Sequence, residues 1–493
     1  MTRRSFLVSS AAFVGNVGDL SAMSLPRRLR VGVLSDIHVD GPKKAAWFEK
    51  ALRYFNEKQV DAVLISGDLT VHSQLSEHQL VADTWFKVFP ADSRSDGMRV
   101  ERLFVTGNHD VDGWAYGRFK TVEEARSASF FFHREECWKQ LWHEDYQPVS
   151  IKKVKGYSFV LRNWLSILGR ESKGHPLAAG FKDEPNPLSE FLQSEKISED
   201  RPVFFVQHEP VTDTVNANWL FRGRPWGKIS DDLGKSIYSK YPNAIVLTGH
   251  SHLSLTDETS IWQGSFTAVN CSAETGFAFT PPGRENGFCG RDFYRDPPLN
   301  MPPIDFKGVH QGMLMDVYDD KVVFKRLEFK NGHVLGVDWV VPCGTGVETP
   351  YRFDTRFRKK LRPAFPKDAK VTVKEGMGAV RSKNGMSASA DMHPQILVSF
   401  PSATTKEGAA IRGWDYAVRL EEDCGDQVRI VSERYFFSPN SLMGEEDDVE
   451  PVVCAFPRSD IPLRSRAAYR FTVVPRSCWG HGGSAISSEW KKF

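Results

Sequence analysis

Asp36-Ile37-His38, Gly67-Asp68, Gly107-Asn108-His109-Asp110, His208 and Gly249-His250-Ser251-His252 occur in this order along the chain. They supply carboxylates, imidazoles and one amide, all hard or borderline ligands for divalent metals. Each set lies just behind a short apolar run that reads as a buried strand. Side chains at the ends of neighbouring strands converge on one point although they are far apart in sequence. A ligand set of this size points to a two-metal hydrolytic centre rather than a single structural ion.

Hydrolysing a phosphate ester at neutral pH requires a strong nucleophile and a sink for negative charge. Two divalent ions about 3.5–4 Å apart do both, generating hydroxide from water and clamping the phosphoryl oxygens. A bridging carboxylate holds such a pair, and Asp68 is the natural candidate. Asp36, His38 and one of His250 and His252 would complete one ion. Asn108, His208 and the other of those two histidines would complete the second. His109 then has no metal left to bind. An imidazole in that place can protonate a leaving alkoxide or hydrogen-bond the developing charge. Two roles are open to Asp110: orienting His109, or capping backbone amides.

The elements that must carry these residues follow from periodicity. Arg30 to Leu34 is a strand delivering Asp36 and His38. Ala45 to Lys58 is a helix whose Phe48, Leu52 and Phe55 form a core stripe. Ala62 to Ile65 ends at Asp68, Ser76 to Val88 is helical, and Leu103 to Val105 ends at Asn108. Strand, helix, strand implies parallel neighbours in an α/β layer. Thr121 to about Tyr146 reads as one helix opened by a Thr121–Glu124 capping box. Ser158 to Leu161 and Ser166 to Leu168 read as a strand pair, and Leu188 to Ser194 as a short helix. Val203 to Val206 presents His208, and Ile245 to Leu247 presents His250 and His252. Thr275 to Val309 is irregular, rich in Pro, Gly and aromatics, and contains Arg284, Arg291 and Arg295. It suits an active-site rim or a structural crossover. Gly312 to Phe329 reads as a hairpin turning at Asp319-Asp320, and Val334 to Val341 as a further strand.

With 493 residues the chain is too long for one ordinary domain. Residues 351–368 are basic and proline-containing and read as a linker. From 369 onward the pattern is all-β: Lys370–Val373, Ile396–Phe400, Tyr416–Leu420, Val428–Tyr435, Val452–Phe456 and Tyr469–Val474, as in a sandwich. The formal net charge of +2 implies no polyanion or membrane-surface partner, and no apolar run is long enough to span a bilayer. At the start, Arg3-Arg4-Ser5-Phe6-Leu7 and the mildly apolar stretch behind it read as a twin-arginine export signal or a disordered basic leader within residues 1–25; the first reading places the protein in the periplasm or outside the cell, the second in the cytoplasm. The seven cysteines form no CxxC pair, which argues against a zinc-thiolate site.

The pattern D-x-H, G-D, G-N-H-D, H, G-H-x-H resembles that of the calcineurin-like metallophosphoesterase superfamily, over about Arg30 to Val341. The resemblance implies a four-layer α/β/β/α sandwich over residues 26–350, followed by a smaller all-β sandwich over 369–493 that resembles a fibronectin type III domain. It also implies that Asp36, His38, Asp68 and His252 bind one metal, that Asp68, Asn108, His208 and His250 bind the other, and that His109 is the general acid. The ions would be manganese, iron, zinc or cobalt, and the partner a small phosphomonoester or phosphodiester. Cyclic-nucleotide phosphodiesterase-like and purple-acid-phosphatase-like members carry the same variant with Asp110. The competing reading is a catalytically silent binding module on the same fold. A one-metal amidohydrolase ranks below both, since it does not need Asn108 beside a histidine. Outside the motifs, His72, His78 and His310 are rim candidates, and Arg162, Arg170, Arg222 and Arg224 are candidate phosphate holders.

Overall fold

A computed structural model describes residues 25–113, 121–128, 132–164, 192, 195, 197, 201–216, 236–241, 243–274, 310–381, 388–405, 411–438 and 451–493. The residues read as an export signal, the expected strand at Ser166–Leu168, most of the expected Leu188–Ser194 helix and the Thr275–Val309 segment lie outside these residues, as do Arg170, Arg222 and Arg224.

The first half opens with β1 (Leu29–Leu34), α1 (Pro42–Glu57), β2 (Ala62–Ser66), α2 (Leu75–Val88) and β3 (Glu101–Val105). Three short helices follow: α3 (Asn108–Val111), α4 (Val122–Ser127) and α5 (Arg134–Trp142). The single helix expected over 121–146 is therefore two helices. Its expected start survives in part, since the Glu124 amide donates to the Thr121 hydroxyl at 3.1 Å. Then come β4 (Val149–Val154), β5 (Tyr157–Arg162), β6 (Val203–Val206), β7 (Ala244–Thr248), β8 (Ile261–Gln263) and β9 (Thr267–Asn270). Strands β10 (Gln311–Val317) and β11 (Lys321–Glu328) form the expected hairpin. The strand expected over 334–341 is split into β12 (His333–Val334) and β13 (Trp339–Pro342), both paired to β11.

Two sheets result. In the first, the order is β12-β11-β10-β1-β2-β3, with β13 also on β11; β1, β2 and β3 are parallel, and β10 runs antiparallel to β1. In the second, the order is β4-β5-β6-β7-β9-β8, with β5, β6, β7 and β9 parallel. Alternate residues decide the layering. Val31, Val33, Leu64, Leu103 and Met315 of the first sheet pack against Phe159, Phe204, Ile245 and Leu247 of the second. The opposite face of the first sheet, with Val63, Ile65 and Phe104, meets Phe48, Leu52 and Phe55 of α1, Trp85 of α2 and Trp142 of α5. The outer face of the second sheet buries Val160, Phe205 and Val246 with Leu192, Ile237 and Tyr238. Strands covered on both faces read as continuous apolar runs such as Ala62-Val63-Leu64-Ile65, and that is why the sequence showed them plainly. Two facing sheets with helices on the outer side of the first agree with the α/β layering expected from the sequence.

The region read as a linker contains a helix, α6 (Phe353–Arg358), and it docks. Arg356 donates to the Ile261 carbonyl and the Glu258 carboxylate, each at 3.0 Å, and its guanidinium lies 4.7 Å from the Trp479 ring centre. Glu258 also accepts from Arg326 at 2.8 Å and from the Trp339 indole at 3.1 Å. Such a shared carboxylate compensates buried guanidinium charge. Beyond it, β14 (Thr372–Arg381), β15 (Ala388–Phe400), β16 (Asp415–Asp423), β17 (Val428–Phe437), β18 (Val452–Pro457), β19 (Tyr469–Arg476) and β20 (Ile486–Ser487) form sheets ordered β14-β15-β18 and β17-β16-β19-β20. All pairings are antiparallel, and Ile396, Phe400, Tyr416, Leu420, Phe456 and Phe471 fill the core between them. Cys137, Cys271, Cys343, Cys424, Cys454 and Cys478 are free thiols. Among the described residues no helix is long and apolar enough to cross a membrane.

Candidate metal centre

The motif residues meet where the carboxyl ends of the two sheets' parallel strands face each other. Asp36, Asp68 and Asn108 follow β1, β2 and β3; His208 follows β6, and His250 and His252 follow β7. The strand pairing continues past the strand ends and fixes the loops. The amides of Asp36, His38 and Val39 donate to the carbonyls of Gly67, Asp68 and Leu69 at 2.9–3.0 Å. The two sheets are tied together at the site itself, since the His250 amide donates to the Asp36 carboxylate at 3.0 Å.

Five ligand residues hold left-handed backbone: Asp36 (φ 50°), His38 (44°), Asp68 (54°), His250 (66°) and His252 (49°). Gly67 is left-handed too, at φ 98°. There glycine is required twice over, because a Cβ would also overlap the His208 imidazole.

Two clusters of ligand atoms form, each with all members within 4.8 Å of one another: Asp36, His38, Asp68 and His252 in one, and Asp68, His208 and His250 in the other. Asp68 is common to both. In the first, His252 Nε2 lies 2.8 Å from Asp36 Oδ1, and His38 Nε2 lies 3.4 Å from Asp68 Oδ2. In the second, His208 Nε2 lies 3.2 Å from Asp68 Oδ2, 3.0 Å from Asn108 Oδ1 and 3.1 Å from His250 Nδ1. His208 Nδ1 faces the Ser66 carbonyl at 2.9 Å. A carbonyl only accepts, so Nδ1 carries the proton and Nε2 offers its lone pair to the centre.

Carboxylates and imidazoles in the cluster act on one another's charge. Burial opposes ionisation of Asp36, but His252 and His208 outweigh it and hold its carboxyl below the ordinary range. Asp68 is likewise held well below its ordinary value, against burial, chiefly by His208 and His109. Burial disfavours charge on His38 and His208, yet the two aspartates raise both imidazoles to about 9. His250, buried and facing His208, is pushed down to about 3. The imidazoliums stand where metal charge would otherwise neutralise the carboxylates. Oxygen and nitrogen donors in two sets that share a carboxylate fit a divalent ion pair.

His109 sits at the edge of the first set, its ring centre 4.5 Å from that of His38. Its amide donates to Asp68 Oδ1 and its Nδ1–H to the Val71 carbonyl, both at 2.8 Å. Its backbone and its Nδ1 are thereby both fixed. Burial holds this imidazole below its ordinary value, with Asp68 opposing.

Asp110 does not orient that ring directly, which corrects one of the two roles open to it. Its carboxylate accepts from the amides of Gly107 (2.8 Å), Leu69 (3.0 Å) and Thr70 (2.9 Å) and from the Thr70 hydroxyl (3.0 Å). The reason is position. At the third residue of α3, a carboxylate reaches back to the free amide of Gly107 and across to the loop behind β2. Asp110 therefore fixes the 68–71 loop, and the loop's Val71 carbonyl orients His109. Asp110→Ala should lower thermal stability by about 2–4 kcal/mol, since it strands several buried donors. Asp110→Asn should also destabilise, because in either orientation its NH2 would face at least one amide hydrogen. Thermal melts that match the unsubstituted protein would contradict this role.

The rim candidates are engaged by other partners. His78 is buried, stacked on Phe132 at 3.6 Å, and its pKa is pushed down to about 3 by burial. His72 pairs with Glu77 at 2.8 Å and closes the start of α2. His310 stacks on Trp47 at 3.8 Å and donates to the Glu274 carbonyl at 2.9 Å. Arg162 is buried and paired with Glu209, so it is not presented as a phosphate holder. Sequence reasoning missed Ser35, whose hydroxyl bonds Asp36. It also missed Trp164 beside His208. The strand-end rule that found the ligands also applies to β5, whose run ends at Asn163-Trp164, and would have found the second.

Residues 29–254 match the family model described as calcineurin-like phosphoesterase. No curated protein matches the chain. Among solved structures, a dimetal phosphatase from Danio rerio is similar at 13% identity, over 65% of this chain and 100% of that one, with a TM-score of 0.37. GAP50 from Plasmodium, described as the anchor in the inner membrane complex, is 13% identical over 66% of this chain and 91% of its own, with a TM-score of 0.38. A predicted phosphoesterase from Streptococcus pneumoniae is 14% identical over 64% and 97%, with a TM-score of 0.26.

Proposed function

We propose, from the calcineurin-like phosphoesterase domain at residues 29–254, that the chain is a dinuclear metal-dependent hydrolase of a small phosphomonoester or phosphodiester. The observation that carries this reading is the pair of ligand clusters sharing Asp68, with the His109 imidazole held beside them by the Val71 carbonyl. Asp36, His38, Asp68 and His252 would hold one ion, and Asp68, Asn108, His208 and His250 the other. Ions of this kind supply positive charge for the phosphoryl oxygens and acidify water to a nucleophile at neutral pH.

The remaining work belongs to the protein. Ser66 and Val71 carbonyls set the tautomers of His208 and His109. Burial keeps the centre poor in water, so charges inside it act strongly. An arriving phosphate anion favours protonated His109, whose Nε2–H can then pass to the departing alkoxide.

The purified chain with Mn²⁺ should hydrolyse bis-p-nitrophenyl phosphate, p-nitrophenyl phosphate or both, and chelation should stop it. No hydrolysis of either with manganese, iron, zinc or cobalt would overturn the proposal in favour of a binding module. Metal binding should also depend on pH in a defined direction. His38 and His208, raised to about 9, stabilise the metal-free fold fully below the ordinary imidazole value of 6.5 and lose that contribution as pH rises through about 9. Metal needs both rings neutral, so it competes with protons. The rise in melting temperature on adding Mn²⁺ should therefore be larger at about pH 8.5 than at about pH 6.5; an equal rise at both would contradict the assignment of these ligands.

A further inference from the structure

We propose that Trp164 and Asp112 are positioning residues for the second metal, acting through His208 and His250. The inference rests on the metal-centre reading above and concerns residues that the five motifs do not contain.

Trp164 lies two residues beyond the end of β5, on the strand next to the one that delivers His208. It is 3% exposed. Its backbone is anchored first: its amide donates to the Thr106 carbonyl at 3.1 Å, and Thr106 directly precedes the Gly107-Asn108-His109-Asp110 motif. The neighbouring Asn163 accepts from the Thr106 amide at 2.7 Å and donates to the Gln147 carbonyl at 2.7 Å, which locks the turn between the two sheets. The indole is anchored second: its Nε1–H donates to Asp112 Oδ2 at 3.1 Å. Asp112 is itself buried and closes α3, its amide donating to the Asn108 carbonyl at 2.7 Å.

Held at both ends, the ring meets two ligands at once. Its centre is 5.8 Å from that of His208 at 81° and 5.9 Å from that of His250 at 34°. The edge-on contact to His208 and the tilted contact to His250 are both ordinary attractive aromatic geometries. His208 has a second support in the Ser66 carbonyl. His250 has left-handed backbone and sits on a loop, so an aromatic wall restricts its swing. Asn108, a ligand candidate of the same ion, is tied to Asp112 through the backbone. Thus one indole, held by one carboxylate, braces His208 and His250, two of the three candidates that belong to the second ion alone. The first set has a different neighbour, His109, against His38. The two ions therefore rest on separate supports, and loss of one support should separate their affinities.

The test is Mn²⁺ binding by the full chain, followed by calorimetry and metal analysis after desalting, with melting temperature as the folding control. The unsubstituted protein is expected to retain two ions. Trp164→Ala and Asp112→Ala should each keep one and bind the second about 10–100-fold more weakly, the usual effect of removing a group that braces a ligand. Asp112→Asn retains an oxygen acceptor for the indole and should restore the second affinity to within a few-fold. Two ions bound by Trp164→Ala and Asp112→Ala with unchanged affinities would overturn the positioning role while leaving the metal centre intact. Equal weakening of both ions would overturn it too, in favour of a general packing role. An unsubstituted protein that binds no metal would instead sink the metal-centre reading on which the inference stands.

Discussion

Replacing Asp68 by Ala should abolish retention of both metals and lower phosphoesterase turnover by at least about 10³-fold, the upper end of what loss of one charge-stabilising group costs. Asp68 is the only residue present in both ligand clusters among the described residues. Its carboxylate also faces His38 at 3.4 Å and His208 at 3.2 Å, and accepts from the His109 amide at 2.8 Å. Removing it withdraws the shared ligand, leaves two cationic imidazoles with Asp36 as their one remaining aspartate, and frees the backbone that carries His109. Leaving buried charge unpaired is costly, so the variant's melting temperature should fall as well. Asp36→Ala should be less severe for the second ion, because Asp36 belongs to the first cluster alone. Metal analysis of the two variants separates the cases. Retention of two ions by Asp68→Ala would show that the carboxylate does not bridge.

The second large effect is expected from His109→Ala: a fall in turnover of about 10²–10⁴-fold on a substrate with a poor leaving group, the usual contribution of general acid catalysis. Metal content should stay at two per chain, since His109 belongs to neither cluster. Leaving-group dependence is the diagnostic feature. A p-nitrophenolate departs without protonation, so hydrolysis of p-nitrophenyl esters should suffer much less than hydrolysis of alkyl phosphate esters. The Val71 carbonyl holds Nδ1–H at 2.8 Å and fixes the ring beside His38, its centre 4.5 Å away. A uniform loss on both ester types, or loss of metal, would make His109 a structural residue instead.

The doubly covered strands and the ligands behind them were readable because burial on both faces writes an unbroken apolar run, and each run ended in a polar residue. The short edge strands β4 and β8 carried no such signal. Val149 to Val154 mixes Lys152 and Lys153 with apolar residues, and Ile261 to Gln263 is three residues long. Asp110 was ambiguous because one carboxylate beside one histidine suits a catalytic pair and a backbone cap equally well; only the direction of its oxygens decides. Residues 351–368 looked like a linker by composition. Arg356 turned inward because Glu258, almost one hundred residues earlier, offers it a carboxylate, and no local pattern announces a partner at that distance.

Five left-handed ligand residues have a consequence for how far this protein can be hardened. A non-glycine residue in that region costs of the order of 1 kcal/mol or more, somewhat less for Asp and His, while a whole domain's margin is about 5–15 kcal/mol. Glycine at Asp36, His38, Asp68, His250 or His252 would relax the backbone and remove the ligand in the same stroke. Endurance and activity are thus set against each other at the same five positions, and heat resistance in this protein has to be sought in the outer layers and the C-terminal sheets.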